Sequence, residues 1–161
     1  MQDFTVTTPI KGRSVPLSEV TDPIFSQGLL GPGMAIVPDS GPVVSPVDGE
    51  VLVASPTGHA YGLRSTSGIE LLIHVGVDTL ELDGKHFRPR VGVGDKVCRG
   101  QILVDVDWKA IKAAGYETVT PVVVTNAVVF DAIRKTSPAE TVPSDVLFSV
   151  VPIKASSGSR L

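Results

Sequence analysis

Prolines and glycines interrupt this chain so often that long helices have little room to form. The sequence carries 13 prolines and 16 glycines in 161 residues, and short valine-rich runs lie between them. Valine favours strands, whereas proline and glycine favour the turns that join strands. The pattern predicts a mainly β protein with many short strands and tight turns.

One or two short helices are expected beside these strands. Asp107 can cap a helix over residues 108–114, and Gly115 follows where many helices end in the left-handed conformation. Residues 128–135 fit either a short helix or a strand with a turn, because their spacing does not distinguish the two. The segments that read as strands include residues 5–7, 34–38, 120–126 and 146–151.

Two segments repeat a turn-then-strand arrangement that narrows the fold class. The first contains PVDG at residues 46–49, and the second runs from VGDKV at residues 93–97 to GQIL at residues 100–103. This pairing is similar to the barrel-sandwich hybrid of biotinyl and lipoyl domains. The predicted fold class is therefore an antiparallel β-sandwich or barrel-sandwich hybrid, which by itself does not fix the function.

Length, charge and hydropathy limit the classes of protein that this chain can represent. We expect one domain over residues 1–154 and a disordered tail of mostly small and polar residues at 155–161. The formal net charge of −3 gives no reason to expect a nucleic-acid partner. No segment resembles a membrane span or a signal peptide, which predicts a cytoplasmic protein. Cys98 is the only cysteine, so no intramolecular disulfide can form.

Two of the three histidines lie in what reads as one β-hairpin. A cluster of serine, threonine and glycine separates two apolar runs that carry His59 and His74. A two-residue loop at Thr66 and Ser67 would place the histidines directly opposite each other, and this is the register that we expect. A three-residue loop with Gly68 in the left-handed conformation would shift the register by one residue.

A pair of touching imidazoles favours a shared proton, metal ion or anion, because protonating both rings is costly. A neutral imidazole can attack a phosphoryl group, and an N–H of the second ring can stabilise its charge. Zinc is the alternative, as in a metallopeptidase with His74 and Asp78 in H-x-x-x-D spacing and the distant His86 as another candidate ligand. The H-x-H pair of lysostaphin-type peptidases is absent from the sequence.

A third class, a lipoyl or biotinyl carrier, fits the repeated turn-then-strand segments. Such a carrier needs a modified lysine at the tip of a hairpin. The turns at Asp48-Gly49 and at Asp95-Lys96 do not supply that setting convincingly.

Five motifs carry a family resemblance over most of the chain. They are PVDG at residues 46–49, TGHA at 57–60, ELLIHVGVDTLEL at 70–82, VGDKV at 93–97 and TPVVVTN at 120–126. Together they resemble the glucose-family IIA component of the bacterial phosphoenolpyruvate-dependent sugar phosphotransferase system. The resemblance extends from about residue 10 to residue 153, and the segment around His74 is its most specific part.

This resemblance implies a phosphotransferase component that works through a transient phosphohistidine. His74 would accept a phosphoryl group from the phosphocarrier protein HPr and pass it to the sugar-specific IIB domain of a IIBC permease. His59 would support the phosphoryl group during onward transfer, and Thr57 would orient the ring of His59. Gly76 and Asp78 would flank the site.

The resemblance also implies docking and regulatory functions. Phe25, Leu72 and Leu80 would form an apolar rim that contacts partner proteins, although residue type alone favours a core position for Phe25. No cofactor is required, but His59 and His74 could share a zinc ion with a carboxylate of a partner. Free-standing members of the family bind transporters and catabolic enzymes, so a regulatory role is expected as well.

The sequence departs from the family pattern at two positions near these motifs. His86 stands in the loop of residues 83–90 where the family commonly has glycine. Ser55 stands where some members place an aromatic residue of the rim, which predicts a change in partner preference. The tail after Lys154 is a third feature peculiar to this chain.

Overall fold

The strands of this protein are short, as its prolines and glycines predict. The computed structural model describes residues 3–153. Its strands are β1 (Thr5–Thr7), β2 (Lys11–Pro16), β3 (Gly33–Ser40), β4 (Val43–Val44), β5 (Gly49–Ala54), β6 (Ala60–Ser65), β7 (Glu70–His74), β8 (Phe87–Pro89), β9 (Lys96–Val97), β10 (Ile102–Val106), β11 (Thr120–Val124), β12 (Phe130–Lys135), β13 (Glu140–Thr141) and β14 (Val146–Pro152).

Helices contribute little to the fold. The α-helices are α1 (Pro23–Ser26) and α2 (Trp108–Ala113), and the 3₁₀ helices are Leu17–Glu19, Thr79–Leu82 and Ala127–Val129. The side chain of Asp107 accepts a hydrogen bond from the backbone N–H of Ala110 at 3.1 Å, as its predicted capping role requires. The predicted fold class, mainly β with one or two short α-helices, is confirmed.

The strands form three antiparallel sheets. The largest has eight strands in the order β13-β2-β3-β11-β7-β6-β5-β9. The two smaller sheets have the orders β1-β14-β12 and β4-β10-β8. Neighbouring strands run antiparallel in every pair of these sheets within residues 3–153.

The eight-stranded sheet packs apolar side chains on both faces. Ile36, Ile73 and Val122 belong to the main core between the sheets. Since successive strand residues point to opposite faces, their neighbours Ala35, Leu72 and Val123 point away from that core. They pack in a second, smaller cluster with residues of segment 15–30, including Phe25. This second face is the one that carries His74, two residues after Leu72 on β7.

The segment at residues 128–135 is a strand preceded by a turn. Residues of the 3₁₀ helix Ala127–Val129 lead directly into β12, which pairs with β14. Pairing with β14, a strand that lies outside this segment, decides its conformation. Local spacing therefore could not have distinguished the two alternatives.

The hairpin of β6 and β7 corrects the predicted register. Ala60 lies opposite His74, so the expected direct pairing of His59 with His74 is wrong. The physical reason is Gly68, which has a φ of 93° and is the last residue of the loop. The loop therefore has three residues, whereas two were expected. The alternative register is the one that forms.

Two further expectations concern the domain bounds of the chain and whether it spans a membrane. The predicted tail at residues 155–161 lies outside the described residues, and the single domain over residues 1–154 stays a prediction. In the described range, 3–153, no helix is both long enough and apolar enough to cross a membrane.

Candidate active site

The imidazoles of His59 and His74 touch even though their residues are not paired across the hairpin. Their ring centroids lie 5.2 Å apart, with an interplanar angle of 71°. His74 is the last residue of β7, and His59 comes just before β6 begins. Strand alternation therefore does not set the direction of the His59 side chain. The turn before β6, which contains Gly58 at a φ of 82°, brings it to His74.

The ring of His74 has one nitrogen engaged and one free. Its Nδ1 lies 2.7 Å from the carbonyl oxygen of Gly76. A carbonyl only accepts hydrogen bonds, so Nδ1 carries the proton and donates it to Gly76. The lone pair of the neutral ring is therefore at Nε2. This half-buried side chain presents a nucleophilic nitrogen to whatever docks on the site.

The peptide that holds His74 is itself fixed by its neighbours. Gly76 has a φ of 80°, in the left-handed region that favours glycine. The buried hydroxyl of Thr79 donates to the carbonyl oxygen of Val75 at 2.5 Å. A Cβ atom at Gly76 would lie 2.6 Å from the methyl carbon of Thr79 and 2.9 Å from the carbonyl oxygen of Glu117. Position 76 must therefore be glycine for its carbonyl oxygen to accept the hydrogen bond from Nδ1 of His74.

His59 is more deeply buried than His74 and is held by hydroxyl groups. It is 7% exposed. Its Nδ1 lies 2.6 Å from Oγ1 of Thr57 and 3.2 Å from Oγ of Ser55. Burial lowers the pKa of His59, and the adjacent ring of His74 lowers it further. The ring is therefore kept neutral. Thr57 contacts this ring, and its orienting role stays a prediction.

Ser55 is a contact of the site that sequence reasoning did not identify. The sequence indicated only that an aromatic residue of the rim was replaced here, with a change in partner preference. The structure instead directs its hydroxyl towards His59. The available signal was the spacing S-x-T-x-H across a glycine-containing turn, which can bring two hydroxyls to one imidazole.

The predicted rim residues occupy three different environments. The ring centroids of Phe25 and His74 lie 5.5 Å apart. Phe25 is only 4% exposed, so it belongs to the smaller cluster and also forms part of the wall of the site. Leu72 is partly buried against the same cluster. Leu80, on the 3₁₀ helix that follows His74, is 61% exposed. The exposed apolar surface offered by these three residues is therefore mostly that of Leu80.

Asp78 and His86 do not join the histidine pair through hydrogen bonds in the described structure. Asp78 is exposed, has a φ of 59° and begins the 3₁₀ helix Thr79–Leu82. His86, at a φ of 74°, lines a separate open cleft with Arg88 and Trp108. The backbone of His86 is in the left-handed conformation, which glycine adopts more readily than histidine.

The site offers few ligands to a metal ion. The free Nε2 atoms of His59 and His74 could supply two of the four ligands that zinc usually takes. No group of three or more histidine, cysteine, aspartate or glutamate side chains within residues 3–153 is placed to bind a metal. The zinc-peptidase alternative, which needs a third protein ligand, has no support.

The fold and the site together define a class of protein. An antiparallel β structure that presents one nucleophilic imidazole and a neutral neighbouring imidazole can carry a phosphoryl group on histidine. The family model for the phosphoenolpyruvate-dependent sugar phosphotransferase system, EIIA 1, matches residues 4–130. The chain belongs to this family, as the sequence resemblance indicated. It is therefore a phosphotransferase component with a phosphohistidine intermediate.

Individual relatives and one solved structure agree with this assignment. The chain is 51% identical over 119 residues to the beta-glucoside-specific EIIBCA component of Bacillus subtilis, covering 74% of this chain and 20% of the relative. It is 47% identical over 122 residues to the glucose-specific EIIBCA component of Corynebacterium glutamicum, covering 76% and 18%. The chain thus spans about a fifth of the length of these curated relatives.

The structural comparison extends over nearly the whole described fold. The glucose permease IIA from Mycoplasma capricolum superposes with a TM-score of 0.83 and 33% sequence identity. The match covers 92% of this chain and 96% of that chain. Both proteins therefore share one fold.

Proposed function

We propose that His74 accepts a phosphoryl group from phosphorylated HPr and passes it to a IIB domain for coupled sugar uptake and phosphorylation. The observation that carries this proposal is the hydrogen bond from Nδ1 of His74 to the carbonyl oxygen of Gly76. It holds the proton on the inner nitrogen and leaves the lone pair on Nε2. The chain does this work in the cytoplasm, where HPr supplies the phosphoryl group.

The transfer step forms one bond and breaks one bond. The lone pair on Nε2 of His74 attacks phosphorus, and the electron pair of the breaking bond stays with the nitrogen of the donor. Positive charge develops on the His74 ring as the new N–P bond forms. The hydrogen bond from Nδ1 to Gly76 stabilises this charge, because its carbonyl dipole points towards the ring.

His59 acts on the transferred group rather than forming a bond to it. Its Nδ1 faces hydroxyl groups, so its Nε2 is available to donate a hydrogen bond to a phosphoryl oxygen on His74. The edge-to-face contact of the rings places the two side chains within reach of one phosphoryl group. The low pKa of His59 keeps its ring neutral, so it supports the phosphoryl group without adding a full positive charge.

The surroundings of the pair suit a group that must leave again. No lysine or arginine side chain in the described structure hydrogen-bonds to either histidine, and Phe25 packs beside His74. A cationic clamp would hold a phosphoryl group more tightly. We infer that weak, neutral contacts allow the phosphohistidine to release its phosphoryl group to the next carrier.

Partners dock, in this proposal, on the surface around His74. Leu80 supplies exposed apolar area, and Phe25 and Leu72 support the surface from below. A small apolar patch fits the brief contacts of a relay better than a permanent interface. The fusion of related domains to IIB and IIC in the EIIBCA relatives supports a IIB acceptor. Asp78 is a flanking residue of this docking surface.

Labelling with the complete relay tests the proposal. Incubation with phosphoenolpyruvate, enzyme I and HPr is expected to give an adduct that is stable in alkali and labile in acid. His74→Ala should abolish labelling, whereas His59→Ala should still accept the group but fail to pass it on. Labelling of the His74→Ala variant would contradict the proposal. The regulatory role and the zinc ion shared with a partner stay predictions.

A further inference from the structure

We propose that the outer edge of strand β12 pairs with the same strand of a second copy of this chain, which gives a weak, two-fold symmetric dimer. This inference goes beyond the phosphoryl relay and does not depend on it. β12 is the last strand of the sheet β1-β14-β12, and within residues 3–153 it pairs with β14 alone. A strand at the edge of a sheet exposes backbone N–H and C=O groups that can pair with another chain.

The ladder between β12 and β14 shows which backbone groups point outward. The N–H of Thr136, just after β12, donates to the carbonyl oxygen of Leu147 on β14 at 3.2 Å. The backbone groups of successive residues in an antiparallel strand point alternately to one neighbour and to the other. The groups of Arg134 therefore also point to β14, whereas those of Ile133 and Lys135 point outward. Hydrogen bonds from the rest of residues 3–153 do not reach these outward groups.

Two-fold symmetry limits the ways in which two copies of β12 can pair. An antiparallel pair of identical strands related by a two-fold axis must place one residue directly opposite its own copy. If this residue is Ile133, the outward backbone groups of the two copies face each other. Asp131 then lies opposite Lys135 of the second copy, and the symmetry axis repeats this contact at the other end of the strand.

The neighbouring registers lack this match of charges. A pair centred on Arg134 places the two guanidinium groups directly opposite each other, and like charges in that position repel. A pair centred on Ala132 places Asp131 opposite Ile133 and Lys135 opposite Val129, so neither charge meets an opposite charge. The register centred on Ile133 is therefore the one that the charges of β12 favour.

Asp131 and Lys135 are free to form these contacts. Both side chains are exposed, and the ion pairs within residues 3–153 involve other side chains. Asp131 lies at an irregularity of the ladder and has no partner residue on β14. Charged residues at a sheet edge usually discourage pairing with other strands. In β12 their order makes the strand complementary to itself, which is why a second copy is the partner that we infer.

The dimer leaves the histidine pair open to other proteins. Ile133 and its neighbouring strand β14 pack on the main core, through residues such as Phe148. His74 instead contacts Phe25, which belongs to the smaller cluster on the other face of the eight-stranded sheet. The two surfaces therefore lie on opposite sides of that sheet.

Analytical ultracentrifugation and NMR of the full chain test the inference. One pair of short strands makes a small interface, so we expect the dimer to form at about 1 mM protein and to dissociate on dilution. The amide protons of Ile133 and Lys135 should exchange more slowly with solvent at the higher concentration. A wild-type protein that stays monomeric at about 1 mM would overturn the inference, as would a dimer in which these amides gain no protection.

Charge reversal tests the register. Asp131→Lys and Lys135→Asp each place like charges opposite each other at both ends of the strand pair, and each should raise the Kd of the dimer about tenfold or more. An equimolar mixture of the two variants should form a heterodimer, because opposite charges then face each other again. The double variant Asp131→Lys/Lys135→Asp should self-associate like the wild-type protein. A Kd that is the same in the wild-type protein and both single variants would contradict this register.

Arg134→Glu is the matched control. It changes the net charge by the same amount as Lys135→Asp, but residue 134 lies opposite Ala132 of the second copy in the proposed register. The control should keep the Kd of the wild-type protein. An increase in Kd as large as that of Lys135→Asp would attribute the effect to net charge and reject the paired contacts. Failure of the wild-type protein to become labelled through HPr would reject the relay and leave the dimer standing.

Discussion

His59 and His74 touch edge to face at 5.2 Å, although the strand ladder pairs His74 with Ala60. The contact therefore depends on the turn that precedes β6 and on the peptide that follows β7. Both segments contain a glycine in the left-handed conformation, Gly58 and Gly76. The site is assembled by two turns at the end of a hairpin.

Replacing Gly76 should damage both stability and phosphoryl acceptance. Gly76→Ala adds a left-handed alanine, which costs about 1 kcal/mol, and a Cβ atom that lies 2.6 Å from the methyl carbon of Thr79. Relief of that contact moves the carbonyl oxygen that holds Nδ1 of His74. We expect a fall of about 2–3 kcal/mol in the free energy of unfolding, measured with urea, and slower labelling by phosphorylated HPr.

Gly94→Ala separates the effect of crowding from that of backbone conformation. Gly94 has a similar φ of 91°, but a Cβ atom there meets nothing within 4 Å. The free energy of unfolding of Gly94→Ala should fall only by the cost of a left-handed alanine, and this variant should be labelled at the wild-type rate. Equal decreases in the unfolding free energy of Gly76→Ala and Gly94→Ala would show that the contact with Thr79 does not affect stability.

The stability of the protein should fall as the solution becomes acidic, partly because of His59. Burial and His74 lower the pKa of the folded His59 below the usual 6.5. Between these two pKa values the unfolded chain binds more protons than the folded chain. The free energy of unfolding therefore decreases as the pH drops from about 7 and levels off below the folded pKa.

Urea unfolding at a series of pH values measures the slope of the free energy of unfolding against pH. His59→Gln should reduce the slope, whereas His86→Gln should keep the contribution of His59 because it leaves that residue in place. A slope that is identical in wild-type protein and His59→Gln would contradict the burial of a neutral ring at this position.

Tyr61 carries a buried hydroxyl whose contribution to folding we expect to be nil or unfavourable. Its side chain is fully buried, and its oxygen has no hydrogen-bond partner within the described residues. Burial raises the pKa of Tyr61 to about 12. Tyr61→Phe should therefore leave the free energy of unfolding unchanged or raise it by about 1 kcal/mol. A loss of more than about 1 kcal/mol would reveal a bound water or another partner for the hydroxyl.

Leu80 should matter for partner binding and little for folding. Leu80→Asp is expected to raise the KM for HPr about tenfold, because it removes exposed apolar area and introduces a hydrated charge. Val128→Asp is a matched control, since Val128 is 89% exposed on the 3₁₀ helix after β11. Both variants should unfold like the wild-type protein. Equal KM values for the two variants would place the docking surface elsewhere.

Much of the fold could be predicted because turn chemistry is local. Proline and glycine positions separated the strands, and Asp107 with Gly115 bounded the helix α2. The register of β6 and β7 was missed because two and three residues both fit the loop before Ile69. The left-handed Gly68 decides between them, and only the folded backbone shows that conformation.

The sequence predicted that His59 and His74 meet, and their rings do touch, although through two turns and not through direct pairing across the hairpin. Their roles come from the resemblance and stay proposals, and the contact of Ser55 with His59 was not predicted. Ser55 was missed because its contact depends on the turn that folds its hydroxyl back onto His59. Asp78 was expected to flank the pair; it begins a 3₁₀ helix with a left-handed backbone and an exposed side chain, and its role stays a prediction.

The position of the phosphoryl group on the imidazole tests the central claim most directly. The protein labelled with nitrogen-15 is phosphorylated through enzyme I and HPr, and phosphorus–nitrogen coupling identifies the bonded atom. We expect a single adduct on Nε2 of His74, with Nδ1 still protonated and hydrogen-bonded to Gly76. An adduct on Nδ1 of His74, or on either nitrogen of His59, would contradict the proposed role of His74.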